Sequence, residues 1–381
     1  MNKICIVVAS ELTVRAFLLH HLAALAERYS VTVVAHFADP GYFRELNLKV
    51  RAVPVAIERH IAPLADILAL TTLVRLFRAE RFDLVHSITP KAGLLAMLAA
   101  RLAGVPLRIH TFTGQVWVTR NGPMRALLKA ADRMVARLAT HALADSPTQR
   151  EFLVAQGIIA PAKSTVLAQG SICGVDSGRF RPDSAARARI RNALGIAPEA
   201  IVLLYLGRIH RDKGLLDLAR AFASIGARHP HAHLLLVGPD EDNLCAALAA
   251  AAGAYAGRLH WVDATDRPQE YFAAADIFCL PSYREGFGTT IIEAAATGVP
   301  AIGSRIYGIT DAIVDGTTGL LFAPGDVRQL AERILTLVQD TEFRKRMGES
   351  ARQRALQDFS AGVVTAALLD YYARLLAQRI N

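Results

Sequence analysis

The stretch Pro281-Ser-Tyr-Arg-Glu285-Gly-Phe-Gly288-Thr289-Thr290-Ile-Ile-Glu293-Ala holds the residues best suited to chemistry in this chain of 381 residues. It follows an apolar run, Ile277 to Leu280, that reads as a strand, and it opens a helix that Gly298 and Pro300 bring to an end. A helix start offers amides without intrahelical acceptors and the positive end of the peptide dipoles. In open α/β sheets, ligands collect where strands end and helices begin. The pattern therefore predicts a diphosphate on Gly288, Thr289 and Thr290. Glu293 lies four residues after Thr289 on the same helical face and is placed to accept hydrogen bonds from a ribose diol. Glu285, in the loop, is placed to reach a neighbouring sugar hydroxyl. Taken singly, each glutamate reads as a solvated surface acid; the glycine-rich strand-to-helix turn is what gives the pair a meaning.

A second turn, Leu206-Gly207-Arg208-Ile-His-Arg-Asp-Lys213-Gly214, also links a strand to a helix. Two cations here are positioned to neutralise a departing diphosphate, which gathers negative charge as its bond to a sugar breaks. By itself such a turn is an ordinary pair of exposed charges. Other phosphate and nucleophile chemistries lack their signatures. The first strand runs into Ala9-Ser10-Glu11-Leu12 with no dinucleotide-binding glycines, Gly207 has no second glycine in register, and neither a phosphate-binding loop ending in Gly-Lys-Ser/Thr nor a Gly-x-Ser-x-Gly elbow occurs.

In this combination the chain resembles the family 4 glycosyltransferases of the GT-B fold, whose donor signature is Glu, seven residues, Glu. Here that is Glu285 and Glu293, preceded by the turn of Arg208 and Lys213. The resemblance implies an α/β protein of two doubly wound Rossmann-like parallel-sheet domains facing each other across a cleft. It implies retaining transfer from a nucleoside-diphosphate sugar, expected to be a uridine-linked N-acetylhexosamine, with no metal and no further cofactor. It carries catalytic roles to Arg208, Lys213 and Glu285, and to His110 in Arg108-Ile-His-Thr-Phe-Thr-Gly114. It carries donor binding to Gly207, Gly288, Thr289, Thr290 and Glu293. The chain departs from the family at its first loop, where Ser10 and Glu11 replace a frequent glycine pair. The segments His86-Ser87-Ile-Thr89-Pro90-Lys91-Ala-Gly93 and His110 to Trp117 resemble the subgroup that builds capsule, lipopolysaccharide O-antigen or exopolysaccharide on polyprenyl-diphosphate-linked saccharides. Lys91 then either meets the acceptor diphosphate or stays solvated. Two other functions share this pattern: a nucleotide-sugar epimerase on the same architecture, and a non-catalytic membrane-associated sugar-nucleotide binder.

The elements that must hold these residues are legible as alternation. A 52% hydrophobic, 7% aromatic composition suits helices laid on buried parallel strands. The period switches between two and 3.6 along Ile4 to Ala9, Val31 to Ala35, Leu84 to Ile88 and Leu107 to Thr111. A second series runs through Ile201 to Leu206, Leu234 to Val237, Leu259 to Val262, Ile277 to Leu280, Ala301 to Ile302 and Leu320 to Phe322. Repeated βα units imply parallel sheets, and two series with a break imply two domains. The break lies in the turn-forming Gly170 to Pro182. We therefore expect an acceptor-side domain over 1–178, a nucleotide-sugar domain over 179–360, and a C-terminal helix over 361–381 able to cross back to the first.

The formal net charge is +9, and all of the excess lies in the first half: residues 1–183 hold 22 Lys and Arg against 13 Asp and Glu, the remainder 21 against 21. Such asymmetry points to an anionic partner. No nucleic-acid module appears, so nucleic acid is not expected. Arg125, Lys129, Arg133 and Arg137 recur every four residues on an amphipathic helix from Met124 to Leu138, a basic face suited to lipid headgroups near Trp117 and Arg120. No run reaches the length of a membrane span, and Cys5, Cys173, Cys245 and Cys279 lack metal-ligand spacing. The expectation is a cytoplasmic enzyme lying peripherally on the inner face of the membrane.

Overall fold

The computed structural model describes residues 1–39, 41–58 and 62–378. They fall into two compact units, Met1–Cys173 with the helix Ala361–Gln378, and Gly174–Ser360. Residues 379–381, the end of the expected C-terminal helix, lie outside the described residues.

The first unit is built on seven strands: β1 (Lys3–Ser10), β2 (Ser30–His36), β3 (Val50–Pro54), β4 (Leu84–Ile88), β5 (Leu107–Phe112), β6 (His141–Ala144) and β7 (Ser164–Val166). All pair parallel in the order β3-β2-β1-β4-β5-β6-β7. Strand residues alternate between faces, and both faces are covered. Ile4, Ile6 and Val8 share a core with Leu22, Leu368 and Tyr372 from the helices Leu19–Ala26 and Ala361–Gln378. Cys5 and Val7 point the other way, into a core with Leu73, Phe77, Ala96 and Val135 from the helices Pro63–Glu80, Pro90–Leu102 and Gly122–Leu138. Covering both faces is the reason β1 is apolar at every central position rather than at every second one. The C-terminal helix is also fixed by polar contacts: His21 Nδ1 lies 2.8 Å from Thr365 Oγ1, and His86 Nδ1 lies 2.6 Å from Tyr372 OH.

The second unit carries β8 (Ile201–Leu206), β9 (Ala232–Val237), β10 (Leu259–Val262), β11 (Ile277–Leu280), β12 (Ala301–Ser304) and β13 (Gly319–Phe322). They are parallel in the order β10-β9-β8-β11-β12-β13. Its chain starts before the division read from sequence at residue 178. The Val175 amide donates to Phe359 O at 2.7 Å and Val175 bridges to Ser360, which ties this stretch to the second unit.

Three strands were not apparent from composition, and each has a reason. β3 is a half-exposed edge whose Arg51 pairs with Glu80, β6 reads His-Ala-Leu-Ala with no β-branched residue, and β7 is three residues long. All four cysteines are free, and burial pushes the Cys279 thiol up to about 12.

Asp276, just before β11, organises the second unit's lower edge. Its carboxylate takes Arg187 and Arg191 at 2.7 Å each and the Val202 amide at 2.7 Å. Arg191 is almost fully buried. Asp276→Ala leaves that guanidinium charged and without its carboxylate, which costs about 3 kcal/mol. The expected outcome is a lower urea midpoint for the second unit, and an unchanged midpoint would show the pair to be energetically idle.

Candidate functional site

In the second sheet the strand order reverses at β8, which pairs with β9 on one side and β11 on the other. The chains leaving β8 and β11 at their carboxyl ends therefore diverge, and the two turns beside the gap are the ones singled out above. The turn after β8 is closed by His210, whose Nδ1 accepts from the Asp212 amide at 3.1 Å, and by Gly214 at φ 67°. A Cβ on Gly214 would lie 2.1 Å from Pro281 O, so only glycine lets this turn rest on the turn after β11.

Resting there, the two turns are joined by hydrogen bonds and ion pairs. The Tyr283 amide donates to Asp212 O at 2.8 Å, and Arg284 Nε donates to Asp212 Oδ2 at 2.8 Å. Lys213 Nζ meets Glu285 Oε1 at 2.5 Å, and Ser282 Oγ donates to the same oxygen at 2.8 Å. Both contacts fall on Oε1; Oε2 has no protein donor among the described residues and stays available to a ligand hydroxyl. Lys213 and Glu285 are both largely buried, so their pairing is stronger than an ordinary surface ion pair. Arg208 points elsewhere. Its guanidinium reaches Glu241 Oε2 at 2.6 Å, while its carbonyl accepts from Tyr205 OH at 2.7 Å. The two cations are thus held by different acids, and a bound diphosphate has to compete for or share them.

The helix Thr289–Ala296 begins at Gly288, whose φ of 82° is left-handed, and no side chain caps it. The first amides, on Thr289 and Thr290, are the kind of orphan donors that bind phosphate. One helical turn on, Glu293 keeps some exposure, but its carboxyl accepts no hydrogen bond from the described residues. Burial pushes it up to about 8, against the pull of Arg179. A protonated, unpartnered carboxyl both donates and accepts, which suits a vicinal diol.

In the first unit, His110 sits inside the sheet near the end of β5. Its Nδ1 lies 2.8 Å from Ser87 Oγ, its ring stands edge-on to Phe112, and a Cβ on Gly93 would lie 2.3 Å from its Cε1. Burial pushes its pKa down to about 3, so the imidazole is neutral. Its Nε2 has no protein partner among the described residues. Lys91 is neither solvated nor unpaired, since it meets Asp66 at 2.6 Å with both side chains mostly buried. Ser10, in place of a family glycine, caps the first helix, its Oγ accepting from the Thr13 amide at 3.4 Å.

The four residues of the basic stripe divide between two surroundings. Lys129 donates to Gln156 Oε1 at 2.6 Å and lies 5.2 Å from the Trp117 ring centre, and Arg133 donates to Gln156 O and Gly157 O. These two hold the end of the following helix, Pro147–Ala155, while Arg125 and Arg137 remain exposed. Helical spacing identifies the stripe but not the neighbour that half of it serves.

Sequence reasoning also missed Asp212, Ser282 and Arg284, which lock the two turns, and Ser87, which fixes His110. No motif marks them: the partners of Asp212, Arg284 and Ser87 are 23 to 72 residues away in the chain, and Ser282 bonds Glu285 only three residues on. Among the described residues no cluster of His, Cys, Asp or Glu is arranged to hold a metal ion.

Two family models match the chain: Glycosyl transferase 4-like domain over residues 13–170 and Glycosyl transferases group 1 over residues 186–354. The chain is 29% identical to the capsular polysaccharide biosynthesis glycosyltransferase CapM of Staphylococcus aureus, across 85% of each chain. It is 31% identical to D-inositol 3-phosphate glycosyltransferase 2 of Catenulispora acidiphila, across 77% of this chain and 71% of that one. It is 26% identical to an Escherichia coli UDP-Gal:alpha-D-GlcNAc-diphosphoundecaprenol alpha-1,3-galactosyltransferase, across 84% and 83%. Among solved structures it is similar in fold to Anabaena HepE, crystallised with UDP and glucose, at a TM-score of 0.81 and 19% identity over 98% of this chain and 100% of that one.

The titration of Glu293 gives this site a stability signature. Below its unfolded value of 4.5 the carboxyl is protonated in both states. Above it, the unfolded chain loses a proton that the folded chain keeps until about 8, so the folded state loses stability across that window. Glu293→Gln is therefore expected to melt higher than wild type at pH 8 and alike at pH 4, both without ligand. Equal melting points at pH 8 would mean that the carboxyl is not desolvated.

Proposed function

The chain belongs to the group 1 glycosyl transferases, enzymes of the GT-B type, and from that premise we propose that it is a retaining transferase using a nucleoside-diphosphate sugar. The observation that supports this best is the paired turn at the reversal of the second sheet, where Lys213, Glu285 and the uncapped start of the Gly288 helix adjoin. In this reading the ribose diol bonds Glu293, and the diphosphate lies on the amides of Thr289 and Thr290 with Gly207 giving it backbone room. Lys213 and Arg208 take up the charge that develops on the leaving phosphate oxygen. The acceptor hydroxyl oxygen bonds to the anomeric carbon on the face from which the diphosphate departs, the old carbon–oxygen bond breaks, and the hydroxyl proton passes to the departing phosphate. No protein nucleophile is required. The second carboxylate oxygen of Glu285 and the neutral His110 orient the sugar. The counter-charge comes from side chains and amides, so the reaction is expected to proceed at full rate in the presence of a chelator.

For substrates we propose a uridine-linked N-acetylhexosamine as donor and a polyprenyl-diphosphate-linked saccharide as acceptor, in assembly of a surface polysaccharide at the cytoplasmic face of the membrane. Similarity to the diphosphoundecaprenol galactosyltransferase supports that acceptor class, and similarity to CapM supports a surface polysaccharide as the product. The excess of positive charge in residues 1–183 is consistent with it.

Lys213→Ala and Glu285→Gln are each expected to lower kcat by roughly 10²–10³-fold, the range for losing one preorganised transition-state contact, in a protein that melts lower for want of the pair but is still folded at the assay temperature. The assay is transfer of radiolabelled sugar to an undecaprenyl-diphosphate-linked N-acetylglucosamine. Near wild-type turnover by both variants would sink the site. Conversion of donor without acceptor would reveal an epimerase, donor binding without any transfer a non-catalytic binder, and transfer to D-inositol 3-phosphate alone a different acceptor class.

A further inference from the structure

Loops at the carboxyl rim of a parallel sheet are as a rule its mobile parts, because few side chains hold their backbone. Residues 113–119, which leave β5 three positions after His110, are built differently. They run into the 3₁₀ turn Val116–Thr119, and two of their side chains point into the core, Gln115 at 3% and Trp117 at 1% exposure. Phe112, the last residue of β5, stands edge-on to the His110 ring with centroids 4.6 Å apart, so the loop continues the wall to which the histidine belongs.

Two buried polar side chains on the helices beneath hold this loop. Gln149, on Pro147–Ala155, donates through Nε2 to Thr113 O at 2.7 Å and to Gln115 Oε1 at 3.3 Å, and its Oε1 accepts from the Asp145 amide at 2.7 Å. Asp132, on Gly122–Leu138, accepts from Trp117 Nε1 at 2.7 Å. The indole also stacks on Phe152, with centroids 5.5 Å apart and planes at 18°, while Lys129 and Arg125 stand 5.2 and 5.9 Å from its centre. Space-filling alone does not account for a carboxyl at position 132. Burial pushes it up to about 6, and the indole N–H is its one hydrogen-bond donor among the described residues. An apolar side chain of similar size would fill the space without that desolvation. What the polar groups supply is direction: they fix the Thr113 carbonyl and the Trp117 ring, and with them the backbone between. The other side chains of the loop, among them Thr113 and Val116, keep part of their surface exposed.

We propose that Asp132 and Gln149 are positioning residues: through Trp117 and Thr113 they hold residues 113–119 as a rigid lip beside His110, and this lip sets how tightly the acceptor binds. Neither touches a substrate. Their role rests on the reading of the first unit as the acceptor side, and it adds what preorganises that side, so that little ordering is left when the acceptor arrives.

The experiment is steady-state transfer by the full chain to whichever acceptor wild type uses, with acceptor and donor varied separately. Asp132→Ala removes the partner of the indole N–H, Trp117→Phe keeps a ring against Phe152 but loses that N–H, and Asp132→Asn retains a carbonyl oxygen in place. Asp132→Ala, Trp117→Phe and Gln149→Leu are each expected to raise the acceptor KM about ten-fold, the scale of one lost buried hydrogen bond. Their kcat at saturating acceptor, their donor KM and their donor-induced thermal shift should match wild type, and Asp132→Asn should match it throughout. A lower melting point would follow from any structural role; the split between the two Michaelis constants would not. Release of the lip is read separately as a red shift of Trp117 emission in Asp132→Ala, in a background where the other tryptophan is removed by Trp261→Phe. A red shift with an unchanged acceptor KM, donor and acceptor KM rising together, or Asp132→Asn as impaired as Asp132→Ala would each overturn the proposal. Transfer by wild type to D-inositol 3-phosphate and to no lipid-linked saccharide, with the same pattern of KM values on that acceptor, would instead remove the lipid-linked acceptor and leave the lip standing. Wild type that transfers to no acceptor would overturn both.

Discussion

Parallel pairing of β8 with β11 constrains everything at the candidate site. Because β9 already occupies the other side of β8, the chains leaving the two central strands must turn away from each other, and their amides and side chains line the gap that remains. That gap stays open only if the turns beside it are held rigidly. Gly214 does so by packing bare backbone against Pro281 O, and the contacts of Asp212 with Tyr283 and Arg284 lock the arrangement. The Lys213 and Glu285 pair is then presented as a fixed unit, at little further ordering cost when a ligand arrives.

Charges in this region are balanced in the ligand-free protein: Lys213 against Glu285, Arg208 against Glu241, Arg284 against Asp212. Such balance keeps partly buried cations from being uncompensated while preserving their aim. Glu293 is the exception. Its carboxyl is partly desolvated and accepts no hydrogen bond from the described residues, a local cost that a ligand with donors of its own would repay.

In the first unit the polar groups serve a different end. His21 and His86 are buried among apolar side chains and tie the C-terminal helix to the sheet through Thr365 and Tyr372, which brings the two ends of the chain into one core. His110 is held neutral by burial, so whatever it does for a ligand it does as a hydrogen-bonding group and not as a charge.

The sequence by itself determined the repeated βα order, the parallel sheets, the two turns that carry Arg208, Lys213 and Glu285, and the helix that carries Glu293. All of these are local: they follow from hydrophobic period, from glycines at strand ends and from spacing along one helix. It missed β3, β6 and β7, whose residues gain strand character only from their neighbours in the sheet. Tertiary structure alone decided that Lys213 faces Glu285 while Arg208 faces Glu241, that Lys91 is paired with Asp66, and that Lys129 and Arg133 of a regular basic stripe bond the end of the next helix. Spacing along a helix specifies which side chains share a face, but what that face meets depends on segments far away in the chain, and pairings of that kind leave no periodic trace.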